Sequence, residues 1–282
     1  MRWLVTGAGG MLGTDVVARL GQAGHEVRAA DRDELDVTDP AAVEATVRDI
    51  DVVVNCAAWT AVDDAETTEA PAFTLNAVAP QLLARAARVA GSRMVQVSTD
   101  YVFDGAASSP YAEDAPLAPR SAYGRTKAAG EWAVRAENPD HLIVRTAWLY
   151  GAHGGCFPKT MARLAADRDE LQVVADQVGQ PTWTADVADL VVRLVEAGAP
   201  SGTYHGTSAG EVSWHGFTRA IVAALGKDPA MVRETTSDAF VRPAPRPAYS
   251  VLGHDALTAA GVAPIGPWEE RWAAAAPTVL AP

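Results

Sequence analysis

Short apolar runs alternate with longer amphipathic segments through the first 148 residues of the chain. The apolar runs predict five strands, at residues 2–6, 26–30, 52–55, 93–98 and 142–146. Helical spacing predicts helices at residues 11–23, 71–90 and 121–138, and Asp39 before Pro40 marks the capped start of another. This order of elements predicts an α/β fold with a doubly wound parallel sheet.

After Trp148 the pattern becomes irregular, because glycine and proline are more frequent and strands no longer alternate evenly with helices. Strands are predicted at residues 171–175 and 203–205, and helices at 157–167, 185–196 and 214–225. The three prolines of 242–247 predict irregular structure. We therefore expect a first domain of residues 1–148, which the segment of about 183–204 rejoins, and a smaller C-terminal α/β lobe of residues 149–182 and 205–282.

Charge and cysteine content limit the classes of partner. The 282-residue chain has a formal net charge of −12, so we expect it to bind neither nucleic acid nor an anionic membrane. An anionic ligand would need a local group of Arg or Lys side chains. No apolar run reaches the roughly 18 residues of a membrane helix, and the first residues lack the apolar core of a signal peptide. Cys56 and Cys156 form no CxxC motif, which favours the reducing cytoplasm.

The segment "TGAGGMLG", residues 6–13, lies between the first predicted strand and its helix. Gly7, Gly10 and Gly13 permit a tight turn and a close approach of the backbone to a pyrophosphate at the helix N-terminus. Asp31 ends the second strand, where a carboxylate binds the ribose hydroxyls of NAD, and the adjacent Arg32 suits the 2′-phosphate of NADP. The context predicts a Rossmann-type dinucleotide site and leaves open the choice between NADH and NADPH.

The segment "SAYGRTKAAGE" places Tyr123 and Lys127 four residues apart, on one face of a predicted helix. An ammonium near a phenol lowers the pKa of the phenol, so that the tyrosine can donate a proton to a carbonyl near neutral pH. The fourth strand ends in "VSTDYVFDG", where Thr99 and Asp100 bring side-chain oxygens to the end of a buried strand. Together these residues predict a site for carbonyl reduction.

These motifs resemble the short-chain dehydrogenase/reductase superfamily in its extended form, which has a C-terminal substrate-binding lobe. Six segments look like the dTDP-4-dehydrorhamnose reductase family and occur in its order: "NCAAWTAVDDAE", "VSTDYVFDG", "SAYGRTKAAGE", "VRTAWLYG", "DQVGQPT" and "RPAYSVL". The resemblance implies reduction of the C4 ketone of a dTDP-4-dehydro-6-deoxyhexose by NADPH or NADH. The first expectation is conversion of dTDP-4-dehydro-L-rhamnose to dTDP-L-rhamnose.

The resemblance also implies roles for individual residues. Thr99 would hydrogen-bond the ketone, Tyr123 would be the acid, and Lys127 would orient the nicotinamide ribose. Besides Tyr123 and Lys127, the implied cofactor contacts are Gly7, Gly10, Met11, Leu12, Gly13, Asp31, Arg32, Asp36, Val37, Ala57, Ala58 and Trp59. The resemblance implies that Thr99, Asp100 and Trp148 contact the sugar, and the polar loop residues Asp176 and Gln177 suit nucleotide recognition. Because an acidic chain must neutralise the diphosphate locally, the candidates for it are Arg246, Lys159, Arg163 and Arg242.

Two departures from the family pattern concern the sugar and leave the reaction intact. Cys156 stands before Phe157 where the family commonly has asparagine, and Trp59 replaces the more usual tyrosine or histidine. Other dTDP-ketosugars therefore stay open as substrates, including the dihydrostreptose precursor of an antibiotic pathway. Tyr101 follows Asp100 where nucleotide-sugar dehydratases have glutamate, and the Cys/His pair of epimerase-reductases is absent, so simple reduction is favoured.

A non-catalytic function is the competing interpretation, because the regulatory beta subunit of methionine adenosyltransferase resembles this family. The intact Thr99, Tyr123 and Lys127 favour an enzyme over a binding subunit. Some relatives dimerise through a magnesium-bridged acidic site, and Asp15 stands where such an acid would lie. The sequence thus raises Mg²⁺ at an oligomer interface and leaves a monomer and a homodimer open.

Overall fold

A computed structural model describes residues 1–281, and its centre is a parallel sheet of six strands in the order β10-β5-β4-β3-β1-β2. The strands are β1 (Arg2–Thr6), β2 (Glu26–Ala30), β3 (Val52–Asn55), β4 (Arg93–Thr99), β5 (His141–Thr146), β6 (Leu149–Tyr150), β7 (Leu171–Val174), β8 (Val178–Gly179), β9 (Thr182–Trp183), β10 (Gly202–His205), β11 (Val212–Ser213) and β12 (Val232–Thr235). The predicted doubly wound parallel sheet is confirmed. The order turns back between β1 and β3, as at the switch point of Rossmann-type folds.

Helices cover both faces of this sheet. They are α1 (Met11–Gln22), α2 (Pro40–Val47), α3 (Val62–Ala65), α4 (Glu69–Phe73), α5 (Ala79–Ala90), α6 (Ala122–Glu137), α7 (Phe157–Asp167), α8 (Thr184–Glu196), α9 (Trp214–Ala224), α10 (Asp255–Ala259) and α11 (Trp268–Val279). The side chain of Asp39 caps α2 through the amides of Ala41 and Ala42, as its place before Pro40 predicts. All four residues of β3 are buried, because α1 and α8 pack on one face and α2 and α5 on the other.

The segment after β9 returns to the main sheet. Helix α8 buries Val187, Leu190 and Val191 in the same apolar cluster as Val16 and Leu20 of α1. Strand β10 then pairs with β5 in parallel, at the edge of the sheet. The short apolar run at 203–205 therefore belongs to the sheet and not to the smaller lobe.

The helix expected at residues 71–90 is divided. A π-helical segment, Thr74–Val78, separates α4 from α5. Pro80 has no N–H to donate to the carbonyl four residues earlier, which is that of Asn76, so the regular ladder is interrupted there. The Asn76 carbonyl instead faces Gly130 of α6, where a Cβ would lie 2.1 Å from the oxygen. The two helices approach closely at this point because Gly130 has no side chain.

The remaining strands form three small pairs, β12 with β7, β11 with β8, and β6 with β9. An aromatic cluster of Tyr150, Phe217, Trp268 and Trp272 fills the core below them. The sequence pattern did not indicate β12, α10 or α11, which are short or alanine-rich. Within residues 1–281, no helix has both the length and the apolar character needed to cross a membrane.

Candidate active site

A ladder of buried amides and a hydroxyl joins the carboxyl ends of three central strands. Thr6 donates to the Asn55 oxygen at 2.6 Å, and the Asn55 amide donates to Gln96 at 2.9 Å. The same Asn55 oxygen accepts from the backbone amide of Ala57 at 3.1 Å. This ladder fixes the start of the loop after β3, which carries the expected cofactor contacts Ala57, Ala58 and Trp59.

The glycine turn between β1 and α1 leaves no room for side chains. Gly7 has a φ of 64°, and a Cβ on it would lie 2.7 Å from the Ala57 nitrogen. A Cβ on Gly13 would lie 2.1 Å from the Gly7 carbonyl oxygen. Gly10 is the N-cap of α1 and offers no capping side chain, so the first amides of the helix face outward. Such an uncapped, side-chain-free turn fits a pyrophosphate.

Asp31 reaches this turn from the end of β2. A Cβ on Gly9 would lie 2.3 Å from Asp31 Oδ2, so the carboxylate rests against the glycine backbone. Asp36 is engaged differently, since Thr38 donates to it from both its hydroxyl and its amide, and these bonds lower the pKa of the Asp36 carboxyl. Arg32 is exposed beside it. The expected cofactor residues Leu12 and Val37 are buried, and Met11 lies at the edge of the turn beside Gly151.

Asn76 connects the loop after β3 to the helix that carries Tyr123 and Lys127. Its side-chain oxygen accepts from the Trp59 amide at 2.8 Å, and its Nδ2 donates to the Trp59 carbonyl and to Thr126 Oγ1. The π-helical segment presents Asn76 at this point, 1% exposed. Sequence reasoning missed this residue, because no local motif marks it.

Thr99 and Tyr123 meet at the carboxyl end of β4. Thr99 is the last residue of the strand and donates to Asp100 Oδ1 at 2.9 Å. Tyr123 is the second residue of α6, which begins after Ser121 caps the Gly124 amide. The Thr99 hydroxyl lies close enough to Tyr123 to lower the pKa of its phenol by hydrogen bonding. The structure thus brings these two expected catalytic side chains together.

Lys127 and Tyr123 are not coupled as the sequence suggested. The Lys127 ammonium donates to the Val97 carbonyl at 2.7 Å, deep in the strand end. Burial lowers its pKa to about 8, against the opposing effect of Glu131. Burial raises the pKa of the Tyr123 phenol well above its ordinary value, and the Asp100 carboxylate adds to the rise. The expected lowering by Lys127 is therefore wrong, since desolvation dominates at the phenol and the Lys127 ammonium binds the Val97 carbonyl.

Asp100 is a buried carboxyl with an incomplete set of partners. It is 3% exposed, and Oδ2 makes no hydrogen bond of normal geometry within residues 1–281. Burial raises its pKa to about 6, while hydrogen bonding from Ser250 and Thr99 works in the opposite direction. Ser250 belongs to the "RPAYSVL" segment, so a residue from near the C-terminus contributes to this end of the site.

Trp148 follows β5 and has a constrained conformation. Its φ is 47°, and its ring stacks on Trp214 with centroids 3.5 Å apart and an interplanar angle of 6°. A Cβ on Gly179 would lie 2.5 Å from the Trp148 ring, so the glycine makes room for the indole. Phe157 packs on Trp214, and Cys156 points its thiol to the Gly151 carbonyl at 3.7 Å. A left-handed tryptophan held this way forms a rigid aromatic wall.

Three expected substrate contacts are engaged with other parts of the protein. Asp176 accepts from the amide and the hydroxyl of Ser237, and Gln177 donates to the same hydroxyl at 2.8 Å. Arg246 donates from Nη2 to Asp63 Oδ2 at 2.8 Å. The further diphosphate candidates are Lys159, which donates to the carbonyls of Ala152 and Gly154, Arg242, which pairs with Asp63 at 3.7 Å, and the exposed Arg163.

The expectation of a magnesium ion finds no support. Asp15 lies 3.6 Å from His153 Nε2, and its Oδ2 has no hydrogen-bond partner in the described part of the chain. Across residues 1–281, no group of three or more His, Cys, Asp or Glu side chains could hold a metal ion. Asp15 therefore has too few ligands within this chain.

Sequence reasoning also gave no role to Trp214, Ser250 and Asp63. Ser250 and Asp63 lie within the segments "RPAYSVL" and "NCAAWTAVDDAE". The family resemblance identified these segments but gave no role to these two side chains. Trp214 follows Ser213, the N-cap of α9, and this capping pattern gave no sign of a stacking partner. Each of the three contacts a residue more than 60 positions away, which no local pattern reveals.

Comparison with known proteins places the whole chain among nucleotide-sugar reductases. The family described as RmlD substrate binding domain matches residues 1–280. A probable dTDP-4,6-dihydroxy-2-methyloxan-3-one 4-ketoreductase of Streptomyces antibioticus is 51% identical over 100% of this chain and 96% of its own length. A dTDP-4-dehydrorhamnose reductase of Streptomyces griseus is 51% identical over 95% and 90%. The structure of dTDP-4-dehydrorhamnose reductase from Bacillus anthracis in complex with NADP is 36% identical, with a TM-score of 0.93 over 97% of this chain and 98% of that one.

Proposed function

The chain belongs to the dTDP-4-dehydrorhamnose reductase family, and from this membership we propose that it reduces the C4 ketone of a dTDP-4-dehydro-6-deoxyhexose with NAD(P)H. One observation carries the proposal: Thr99 and Tyr123 meet at the end of β4, in a fold whose β1–α1 turn is kept tight by Gly7 and Gly13. Reduction of a ketone needs one hydride and one proton. The dinucleotide at the glycine turn would supply the hydride, and Tyr123 would supply the proton.

The dinucleotide would lie along the glycine turn, with its pyrophosphate at the amides that open α1 and its adenosine ribose at Asp31. When bound, it supplies the hydride for C4. Ala57, Ala58 and Trp59 would line its nicotinamide half, and Lys127 would hold the nearby ribose. Asp31 repels a 2′-phosphate and Arg32 attracts it, so we propose that both NADH and NADPH serve, with a preference below about tenfold. The NADP in the Bacillus anthracis relative supports the site.

Tyr123 is the acid in this proposal. Burial holds its phenol protonated at neutral pH, so the proton is in place before the reaction. The ketone oxygen gains negative charge as hydride arrives, and the Thr99 hydroxyl is placed to share that charge through a hydrogen bond. Burial lowers the pKa of Lys127 to about 8, and its ammonium is held at the Val97 carbonyl.

The sugar would enter between the lobes. Residues 149–182 and 205–282 form the substrate-binding lobe in this proposal, and Trp148 with Trp214 provides an aromatic wall for the hexose. Asp100, whose Oδ2 has no normal hydrogen bond among residues 1–281, would accept from a sugar hydroxyl. Asp176 and Gln177 would contribute to the part of the site that binds the nucleotide. They would do so indirectly, because both hold Ser237 and the chain that follows it. Arg246 would bind the diphosphate, as a guanidinium suits two phosphate oxygens.

We propose dTDP-4-dehydro-L-rhamnose as the substrate, with another dTDP-4-ketosugar as the second candidate. Two relatives that are 51% identical have names for different ketosugars, which favours a test over several substrates. The purified chain is offered each dTDP-4-ketosugar with NADPH and with NADH, and the loss of reduced cofactor is followed. Turnover of dTDP-4-dehydro-L-rhamnose with the highest kcat/KM supports the proposal. NADPH binding without turnover of any ketosugar would instead indicate a non-catalytic binding subunit.

A further inference from the structure

The segment 236–247, which we call the proline-rich strap, is tied to the protein at both ends. At its start, Asp176 and Gln177 bind Ser237 through three side-chain contacts. Its middle is exposed, with Val241 88% accessible. Near its end, Ala244 is buried against the first domain. The strap therefore bridges the two lobes, and what fixes its end decides where Arg246 stands.

Asp63 is the residue that fixes this end. Its Oδ2 accepts from Arg246 Nη2 at 2.8 Å, and its Oδ1 accepts from the Ala244 amide at 3.2 Å. Arg242 approaches the same carboxylate at 3.7 Å. Asp63 belongs to α3, a helix that is itself fixed to the catalytic helix, because Glu66 accepts from the Ala122 amide at 2.8 Å. A single carboxylate thus holds both the backbone of the strap and its guanidinium.

The ion pair borders a cavity next to the candidate catalytic residues. Arg246 lines a space of about 250 Å³ together with Tyr101, Arg120 and Ser121. Tyr101 packs edge-on against Tyr123, with ring centroids 5.6 Å apart. Burial is the main cause of a raised pKa at Tyr101, and Arg246 and Asp63 act on it in opposite directions from nearby. The pair is therefore close to the reacting end of the site.

The charges around Arg246 leave it available to an anion. Asp63 faces the guanidinium groups of Arg242 and Arg246. Nη2 of Arg246 donates to Asp63, whereas Nη1 has only a 3.5 Å contact to the Ala244 carbonyl. Arg120 is a second cation at the cavity, and the carboxylate of Asp104 there accepts from the Tyr111 hydroxyl. In a chain of net charge −12, this is a local positive group of the kind that an anionic substrate requires.

We infer that Asp63 is a positioning residue, which holds Arg246 and the end of the proline-rich strap where the guanidinium meets the diphosphate of the substrate. This inference rests on the proposed function. An arginine that is fixed by one carboxylate loses less conformational entropy when a ligand binds its remaining donors. Without Asp63, Arg246 would have to be ordered by the ligand itself, so nucleotide binding would weaken while the chemistry at Tyr123 stayed the same.

The test is Asp63→Asn, with Asp64→Asn as the matched control. Asp64 is the next residue on α3, is exposed, and makes no side-chain hydrogen bond or ion pair within residues 1–281. Both variants remove one charge from the same helix. Asp63→Asn should raise KM for the dTDP-ketosugar and Kd for dTDP about 5- to 20-fold, with kcat and NADPH affinity within about twofold of wild type. Asp64→Asn should leave all four unchanged.

A second comparison shows whether Asp63 acts through Arg246. In an Arg246→Ala background, Asp63→Asn should produce no further rise in either constant, because the residue it positions is gone. An unchanged or lower KM and Kd in Asp63→Asn would overturn the inference, and a lower value would show that Asp63 competes with the diphosphate. Equal losses in kcat, KM and NADPH affinity would also overturn it, since they indicate general disruption.

Two further outcomes stay distinct. If Asp63→Asn does not fold, Asp63→Glu carries the same test, because one added methylene displaces the carboxylate from Arg246; an unchanged KM and Kd would overturn the inference. If the wild-type chain turns over no dTDP-ketosugar, the proposed function fails. The Kd for dTDP, measured by calorimetry without turnover, then still decides whether Asp63 supports an anion site.

Discussion

At the scale of a single residue, Tyr123 offers the most direct test of the proposed chemistry. Its side chain is half-buried beside Thr99, and desolvation raises the pKa of its phenol, so it is a proton donor and not a resting phenolate. Tyr123→Phe removes only the hydroxyl, and should lower kcat by about 10²–10⁴ with NADPH affinity retained. Thr99→Val should cost less, because one hydrogen bond is lost and the acid remains. Steady-state kinetics and NADPH fluorescence titration measure both; wild-type turnover in Tyr123→Phe would disprove the assignment.

Asp100 should make the stability of the fold depend on pH. Its pKa is raised to about 6 in the folded chain from an ordinary value of 3.8, so the folded state binds this proton more tightly than the unfolded state. The resulting stabilisation is complete below pH 3.8 and is lost as the pH rises through 6. Relative to Asp100→Asn, the free energy of unfolding should fall by about 2 kcal/mol between pH 4 and pH 7.

Urea denaturation of both proteins across that range measures the difference, in which the effects of other groups cancel. A difference that does not change with pH would show that the Asp100 carboxyl is ionised throughout, held by contacts such as that from Ser250.

At the scale of an element, the glycine turn and α1 act as one unit for the dinucleotide. Gly13→Ala would place a Cβ 2.1 Å from the Gly7 carbonyl, so the turn must move away from the pyrophosphate. NADPH affinity should fall at least about tenfold, a loss near 1.4 kcal/mol. Gly21→Ala is the control on the same helix, since its Cβ meets nothing within 4 Å. That variant should keep NADPH affinity and gain about 0.5–1 kcal/mol of stability.

Calorimetric titration with NADPH and thermal unfolding separate the two glycines. Equal NADPH affinities in the two variants would mean that the turn at Gly13 adapts, and that close packing there does not serve the cofactor.

At the scale of the whole molecule, a buried ion pair and its hydrogen bonds join strands β4 and β5 to helix α6. Glu131 of α6 is fully buried and accepts two bonds from Arg145 of β5, at 2.9 and 2.8 Å. Ser98 of β4 donates to the same carboxylate at 2.6 Å, and Arg135 links it to Thr203 of β10. Burial alone would raise the pKa of Glu131, but Arg145 and its other partners hold it below the ordinary value.

Glu131→Gln should therefore destabilise the fold by about 3–5 kcal/mol, because it leaves the Arg145 charge buried without its partner. Glu137→Gln is the control on the same helix: its pairing with Arg85 is at the surface, where the guanidinium is 50% exposed, and its loss should cost less than about 1 kcal/mol. Denaturant unfolding compares the two. Similar small losses would show that Arg145 finds other acceptors, such as the Glu113 carbonyl it already contacts.

The sequence by itself determined the features that depend on neighbouring residues. The parallel sheet, the capped helices and the glycine turn follow from periodicity and backbone preference, which act within a few residues. The spacing of Tyr123 and Lys127 likewise placed them one turn apart on α6. These local rules also limited the reach of the prediction, since they placed a continuous helix where Pro80 and Gly130 produce a π-helical segment.

Tertiary structure alone decided the contacts between distant parts of the chain and the energies that come from burial. The pairing of Asp63 with Arg246, the stacking of Trp148 on Trp214 and the return of β10 to the sheet join residues far apart in sequence. The raised pKa of Tyr123 arises in the same way, because desolvation is a property of the packed site and not of the residue type. The local sequence pattern identifies the side chains of the candidate site, and long-range packing determines their protonation, orientation and partners.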